Sequence, residues 1–377
     1  MSKFRADHCG SLIRPINLRN ARKEFIYGRI SREQLHQVED DAILQALSLQ
    51  KSAGVDIYSD GEFRRHSWVS AISEDFFDGL KDEGVDYVRY PYLKDKSVLD
   101  AKAVLPPNPV VVGKLKLKKR ITGQEIDFLK ARAPGPFKIT LPSPVTLSRG
   151  SYVKGKSDAA YPTWKSFFDD YTALLAQEIK SIVRDGVKYI QLDAPHYFRF
   201  IVPDRRKQLT DLGIDLEQEL RDAIDAENKC LRAARGDGVN TAVHICLGTF
   251  IFGAQGPLGG AGDYDEDILS RLFRELDADT FLIEYSERSG GLDTLRNAPK
   301  DKTYCLGILN VRDPRVETVD EIRRKVDIAA KYVPLDNLTL SPNCGFSGLA
   351  ADAFVDEEIE KRKLSVLAEA AHKIWPQ

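Results

Sequence analysis

Eight short apolar runs recur along the chain, separated by longer stretches in which apolar residues return every three or four positions. The runs are Phe4–Cys9, Val55–Tyr58, Phe137–Leu141, Val187–Leu192, Thr241–Cys246, Thr280–Glu284, Thr303–Leu309 and Leu338–Leu340, and each reads as a β-strand. Between the first two, Leu35, Val38, Ala42, Leu44, Leu47 and Leu49 mark a helix over Glu33–Ala53 that Gly54 ends. Further helices are predicted over Trp164–Arg184, Leu216–Arg235, Ile268–Leu276, Glu317–Lys331 and Glu357–Ile374. Tyr189-Ile190-Gln191-Leu192 and Thr280-Phe281-Leu282-Ile283 are almost continuously apolar, as parallel strands covered on both faces should be. Eight strands alternating with helices predict an α/β chain folded as one (β/α)8 TIM barrel over residues 1–377. No Gly-x-Gly-x-x-Gly follows the first run, so a dinucleotide fold gains no support.

The rhythm breaks between about residue 80 and residue 136. Val110 to Leu117 alternates apolar and polar residues behind a proline-rich Pro106-Pro107-Asn108-Pro109, which predicts an antiparallel hairpin arm. Thr122-Gly123-Gln124-Glu125 has the form of a capping box opening a short helix to about Ala131. The segment is expected to be an insertion after the second strand, covering the barrel mouth or making a subunit contact in a homo-oligomer. The glycine-rich stretch from Gly253 to Gly262 reads as a mobile loop.

Composition narrows the function classes. Apolar residues make up 42% and charged residues 30%, the balance of a soluble globular protein. With 55 basic and 57 acidic residues the formal charge is −2, so no net basic field exists to hold nucleic acid or a membrane surface. No stretch is apolar for long enough to span a bilayer, and the amino terminus lacks a signal-peptide core. Five cysteines in a chain of 377 residues do not form a disulfide framework, and a cytoplasmic location is expected. Cys230 and Cys305 read as packing residues, while Cys9 adjoins the chemistry described next.

That chemistry sits at the carboxyl ends of the runs, which in a parallel barrel all open onto the active-site mouth. Val243-His244-Ile245-Cys246, Leu282-Ile283-Glu284 and Ser341-Pro342-Asn343-Cys344-Gly345 deliver an imidazole, two thiols and a carboxylate. Such a set suits tetrahedral zinc better than the oxygen-seeking magnesium or calcium. A His/Cys/Glu/Cys set also differs from structural zinc sites, which use Cys and His alone. Its expected job is to bind a substrate thiol, keep it deprotonated and present it to an electrophilic carbon.

The ordered combination of these ligands resembles the zinc site of the cobalamin-independent methionine synthase family. The likeness extends to His8-Cys9-Gly10-Ser11 with Arg14-Pro15, to Ser59-Asp60-Gly61-Glu62-Phe63-Arg64-Arg65, and to Gln191-Leu192-Asp193-Ala194-Pro195. It spans residue 5 to about residue 350 and fits the short, single-barrel members. The resemblance implies that Glu62 and Asp193 bind the amino group of homocysteine, and that backbone amides at Gly10-Ser11 hold its carboxylate. Two departures stand out. The tryptophan that stacks on folate after Ser143-Pro144-Val145-Thr146 is missing, with Ser148-Arg149-Gly150-Ser151-Tyr152 in its place. The family's acid histidine is replaced by Arg312 in Asn310-Val311-Arg312-Asp313-Pro314-Arg315. His66, His196, Tyr197, Arg312 and Asp313 are candidates to assist the leaving group.

Three readings follow. The first is a zinc-dependent methyltransferase acting on a small-molecule thiol, homocysteine or a relative, with a methyl or alkyl donor as second substrate. The second is a carbon–sulfur lyase or alkyltransferase that joins a thiol such as coenzyme M to an epoxide. The third is a non-catalytic barrel with structural zinc. The absent tryptophan leads to the expectation of weak methyl transfer from methyltetrahydrofolate.

Overall fold

A computed structural model describes residues 4–70, 73–83, 108–211, 213–236, 238–246, 265–285, 291–348 and 353–376, without the side chains of 147–150. The expected loop from Gly253 to Gly262 therefore lies outside the described residues, as do residues 84–107 of the expected arm.

The arm begins as two antiparallel strands, β1 (Phe77–Asp82) and β2 (Pro109–Leu117), paired Phe77 to Leu117 and Leu80 to Val111. It is tied to the body by Ser157 Oγ, which donates to the Val111 carbonyl at 2.7 Å, and by the Leu115 amide, which donates to Tyr161 Oη at 2.9 Å. Six parallel strands follow in simple sequence order: β3 (Ile139–Pro142), β4 (Tyr189–Asp193), β5 (Asn240–Ile245), β6 (Thr280–Glu284), β7 (Thr303–Leu309) and β8 (Leu338–Pro342). Helices return the chain between them, among them Trp164–Arg184 and Leu216–Ala233. No helix among the described residues is long and apolar enough to cross a membrane.

The first two expected strands are shorter than their patterns suggest. Each contributes one parallel bridge, Ala6 to Leu340 and Tyr58 to Phe137. At the first, Asp56 intervenes. Its Oδ2 accepts from the amides of Arg5 at 2.7 Å and Ala6 at 2.9 Å, taking donors that a strand ladder would use. One backbone bond, Asp56 amide to Ala6 carbonyl at 2.9 Å, links the two segments directly. The continuous parallel sheet thus has six strands.

Alternation along the strands sorts their side chains between two cores. Ile190, Leu192, Val243, Ile245, Phe281, Ile283 and Leu306 join the large cluster packed against the helices. Tyr189, Ala242, Leu282 and Cys305 join Cys9 and Ile57 in a small inner cluster on the other face. By the same parity Gln191, Asp193, His244, Cys246 and Glu284 share the inner face, all of them buried. All five cysteines are free and buried.

One local expectation fails instructively. The helix Gly123–Arg132 forms, but Thr122 makes no cap bond. Its amide and hydroxyl both donate to Glu178 Oε1, at 3.2 and 3.0 Å, because a buried carboxylate is the stronger acceptor. Glu125, the expected capping partner, is instead buried against Arg65 Nη2 at 3.0 Å.

Candidate metal centre and acidic pocket

Strand β5 delivers His244 and, one residue past its end, Cys246; the turn after β8 delivers Cys344. Their ligand atoms lie within 4.8 Å of one another and all three residues are buried. The spacing can be tested against zinc. Zinc–sulfur bonds of about 2.3 Å meeting at a tetrahedral angle hold two sulfurs about 3.8 Å apart, and Cys246 Sγ and Cys344 Sγ stand 3.8 Å apart. His244 Nε2 is 3.9 Å from Cys344 Sγ, while its Nδ1 faces the Leu282 carbonyl at 3.3 Å. A Nδ1–H bond of that kind fixes the tautomer and frees Nε2 for a metal. Burial holds the imidazole pKa down at about 4, so the ring is neutral, as a ligand must be. Burial, together with Cys246, pushes the Cys344 thiol well up, a proton that a cation would displace.

Glu284, the last residue of β6, completes the set at one remove. Cys246 Sγ donates to its Oε2 at 3.3 Å, and Asn343 Nδ2 donates to its Oε1 at 3.2 Å. Asn343 is itself fixed, accepting from the Val311 amide at 3.1 Å. The donor set and spacing fit zinc, with two sulfurs, one nitrogen and a carboxylate held alongside.

An acidic pocket adjoins this group. Glu62 has a φ of 60°, the left-handed region that a non-glycine residue enters only when its surroundings insist, a mark of functional turns. Its Oε2 accepts from Ser11 Oγ, and its Oε1 accepts from Thr140 Oγ1 at 2.9 Å and Arg65 Nη1 at 3.4 Å. Asp193, at the end of β4, accepts from Gln191 Nε2 at 2.7 Å. Burial, and then the charge of Glu62, raise Asp193 to about 7. Burial raises Asp60 as well, and Glu125 to about 8.

Arg65 is the functional residue that pattern reading undervalued. The Arg64-Arg65 pair looks uniform in sequence, yet the two diverge. Arg64 reaches outward to Asp40 at 2.6 Å and lies over the Phe128 ring. Arg65 turns in to bind Glu62, Glu125, Thr140 Oγ1 at 3.0 Å and the Thr140 carbonyl at 2.6 Å.

The Gly10-Ser11 turn closes the pocket from the amino-terminal side. Gly10 has a φ of 65°, and a Cβ there would stand 2.9 Å from the Gly345 Cα. Only glycine at both positions lets this turn touch the residue after Cys344. The turn is braced by Glu360, whose Oε1 accepts from the Ile13 amide at 3.0 Å. Burial lifts Glu360 to about 8. A carboxyl raised in the folded state keeps a proton that the unfolded chain releases near pH 4.3, so the stability it contributes is lost as pH climbs from there to about 8. We predict that Glu360→Gln, which cannot ionise, melts above wild type at about pH 9 and level with it at about pH 4. An equal offset in Tm at both pH values would refute this.

Two of the candidates for leaving-group assistance have defined neighbours of their own. The Arg312 guanidinium lies over the Phe354 ring at 4.6 Å. His196 is buried beside Tyr197, ring centroids 4.3 Å apart, and burial holds its pKa well down. Tyr152, in the stretch where the tryptophan is missing, has its Oη within hydrogen-bond distance of two acceptors, Asp158 Oδ1 at 2.8 Å and the Tyr161 carbonyl at 2.9 Å, while its ring packs on Phe167.

Comparison with known proteins bears on the family and the fold. Residues 8–368 match the family model described as the cobalamin-independent synthase catalytic domain. YxjH, an uncharacterized protein of Bacillus subtilis, is 30% identical, the match covering 99% of this chain and 95% of that one. The methionine synthase of Saccharolobus solfataricus is 25% identical over 90% of this chain and 87% of its own length. The fold is similar to that of a B12-independent methionine synthase from a Shewanella species, solved with selenomethionine: TM-score 0.73, 20% identity, 99% and 98% of the two chains covered.

Proposed function

Because the chain belongs to the family of cobalamin-independent synthase catalytic domains, we propose that it is a zinc-dependent enzyme that methylates the thiol of homocysteine or a close relative. The observation that carries this reading is the convergence of His244, Cys246 and Cys344 within 4.8 Å. In this reading Cys246, Cys344 and His244 Nε2 would hold the metal, with Glu284 as a fourth ligand. Zinc, when bound, lowers the pKa of a coordinating thiol and keeps its sulfur nucleophilic near neutral pH.

The remaining work falls to the protein. Glu62 and Asp193 take the substrate ammonium, and the backbone of the Gly10-Ser11 turn takes its carboxylate. Two anchored ends leave the substrate sulfur one place to go, and such positioning accounts for much of the rate gain in a bimolecular displacement. Asn343 holds Glu284 in place beside the two thiols. Arg312 supplies the positive charge that a departing group needs, in place of the histidine of relatives. The same reading takes the two single-bridge segments as strands one and two of a closed (β/α)8 barrel, residues 1–377 as one domain, and the β1–β2 arm as its insertion. It places the enzyme in the cytoplasm, where thiolates stay reduced.

The test is to titrate zinc-loaded protein with homocysteine, coenzyme M and glutathione while following the zinc absorption edge. Homocysteine should add a sulfur neighbour to the metal. A spectrum unmoved by all three thiols would remove the thiol-alkylation reading.

The second substrate is less conventional. The tryptophan position is not replaced by Tyr152, whose hydroxyl and ring are taken up by Asp158, Tyr161 and Phe167. Aromatic stacking contributes about 0.5–1.5 kcal/mol beyond burial, and a pterin would forgo it. We predict little methionine from homocysteine and methyltetrahydrofolate with the purified protein, and a smaller or protein-bound methyl donor instead. Robust turnover with methyltetrahydrofolate overturns this. Arg312 in place of the family histidine also favours a second reading, in which a sulfonate thiol such as coenzyme M attacks an epoxide; the edge titration separates the two.

A further inference from the structure

A lysine occupies the interior of the sheet where branched apolar residues are the norm. Lys138, just before β3, is fully buried. A buried ammonium persists only when its protons are all matched, and here they are. Nζ donates to Asp7 Oδ1 at 2.6 Å, to the His8 carbonyl, and to Gln191 Oε1 at 2.9 Å. Asp7 is held from its other oxygen by Tyr189 Oη at 2.6 Å. Three bonds exhaust an ammonium.

The bond to Gln191 has a consequence one residue pair further up the inner face. A glutamine amide can present either its oxygen or its nitrogen to a neighbour. Lys138 claims the oxygen, so the nitrogen must face the other way, and it donates to Asp193 Oδ1 at 2.7 Å. Were the amide reversed, its oxygen would oppose the Asp193 carboxylate and its nitrogen would oppose the Lys138 ammonium, both repulsive. Donation thus runs from Lys138 through Gln191 to Asp193, while Asp7, accepting from both Tyr189 and Lys138, anchors the start of the relay.

We propose that Lys138 is a positioning residue for substrate recognition, setting the polarity of Gln191 so that Asp193 is anchored to receive an ammonium group. The inference rests on the reading that Asp193 binds the amino group of the substrate. Lys138 touches neither substrate nor metal ligand in this scheme.

The test uses the zinc-loaded full chain and calorimetric binding of two probes, homocysteine and 4-mercaptobutyrate, which is homocysteine without its amino group. Wild type should prefer homocysteine. Lys138→Met should weaken homocysteine by about tenfold or more, the worth of a charge-assisted hydrogen bond, while leaving 4-mercaptobutyrate and zinc content unchanged. Since Lys138→Met leaves Asp7 buried without its ammonium, Gln191→Met provides a second route: it keeps the Lys138–Asp7 pair, cuts the relay, and should produce the same selective loss. Equal weakening of both probes, as from general loosening of the fold, overturns the proposal, and so does retained preference in both variants. A wild-type protein that binds the two probes alike would instead remove the reading of Asp193 on which the proposal stands.

Discussion

Cys246→Ser and Cys344→Ser each yield a protein that no longer holds stoichiometric zinc. The two sulfurs already stand 3.8 Å apart, the separation their ligand roles require. A serine hydroxyl ionises far less readily than a thiol and is a poor partner for zinc. No other described cysteine is built to take over: Cys9 Sγ donates to the Pro342 carbonyl at 3.4 Å, and Cys305 belongs to the inner apolar cluster. Ligand loss from zinc sites whose binding is worth about 10–16 kcal/mol is expected to lower affinity by several orders of magnitude. Glu284→Gln should retain more metal than either, because its carboxylate contacts Cys246 and Asn343 without joining the tight trio. Metal analysis after dialysis against a weak chelator decides the matter. Full zinc occupancy in both serine variants would falsify the assignment.

Glu62→Gln should weaken homocysteine binding by about 10- to 100-fold with zinc content unchanged, from the loss of a hydrogen bond to a charged group worth about 1.5–3 kcal/mol. Two effects act together. The substituted amide offers no net charge to the ammonium. Its N–H₂ end must also meet donors, since Glu62 accepts from Ser11, Thr140 and Arg65 and an amide has only one acceptor oxygen. The substituted side chain therefore sits in a pocket arranged for a carboxylate. Parallel titration with coenzyme M, which lacks an amino group, gives the control. If coenzyme M weakens as much as homocysteine, the change has disturbed the pocket generally and Glu62 does not read the ammonium.

Particular residues show how far the pattern along the chain could be followed. The six strands β3 to β8 were legible because each is a compact apolar run between helices, and tight parallel packing leaves no other home for such runs. The two segments around Ala6 and Tyr58 carry the same kind of run, yet each makes a single bridge, and at the first the Asp56 carboxylate intercepts the amides of Arg5 and Ala6. Thr122 and Glu125 have capping-box spacing, and both are drawn away by buried charges from distant elements, Glu178 and Arg65. Local pattern reports local competition only; a stronger partner far away along the chain does not register in it.

The candidate metal ligands were legible for a different reason. A period of two puts His244 and Cys246 on one face of one strand, and the parallel direction of the strands carries Glu284 and Cys344 to the same end. Sequence alone therefore determined the strand order, the family resemblance and which residue types converge. The tertiary structure alone decided which of two adjacent arginines turns inward, that Glu62 is held at a positive φ, and that Lys138 sits beneath Asp193 with Gln191 between them. The first and the last of these depend on a match between buried groups contributed by segments far apart along the chain. A buried charge must be paired wherever the fold happens to bring a partner, and that choice is made in space, not along the chain.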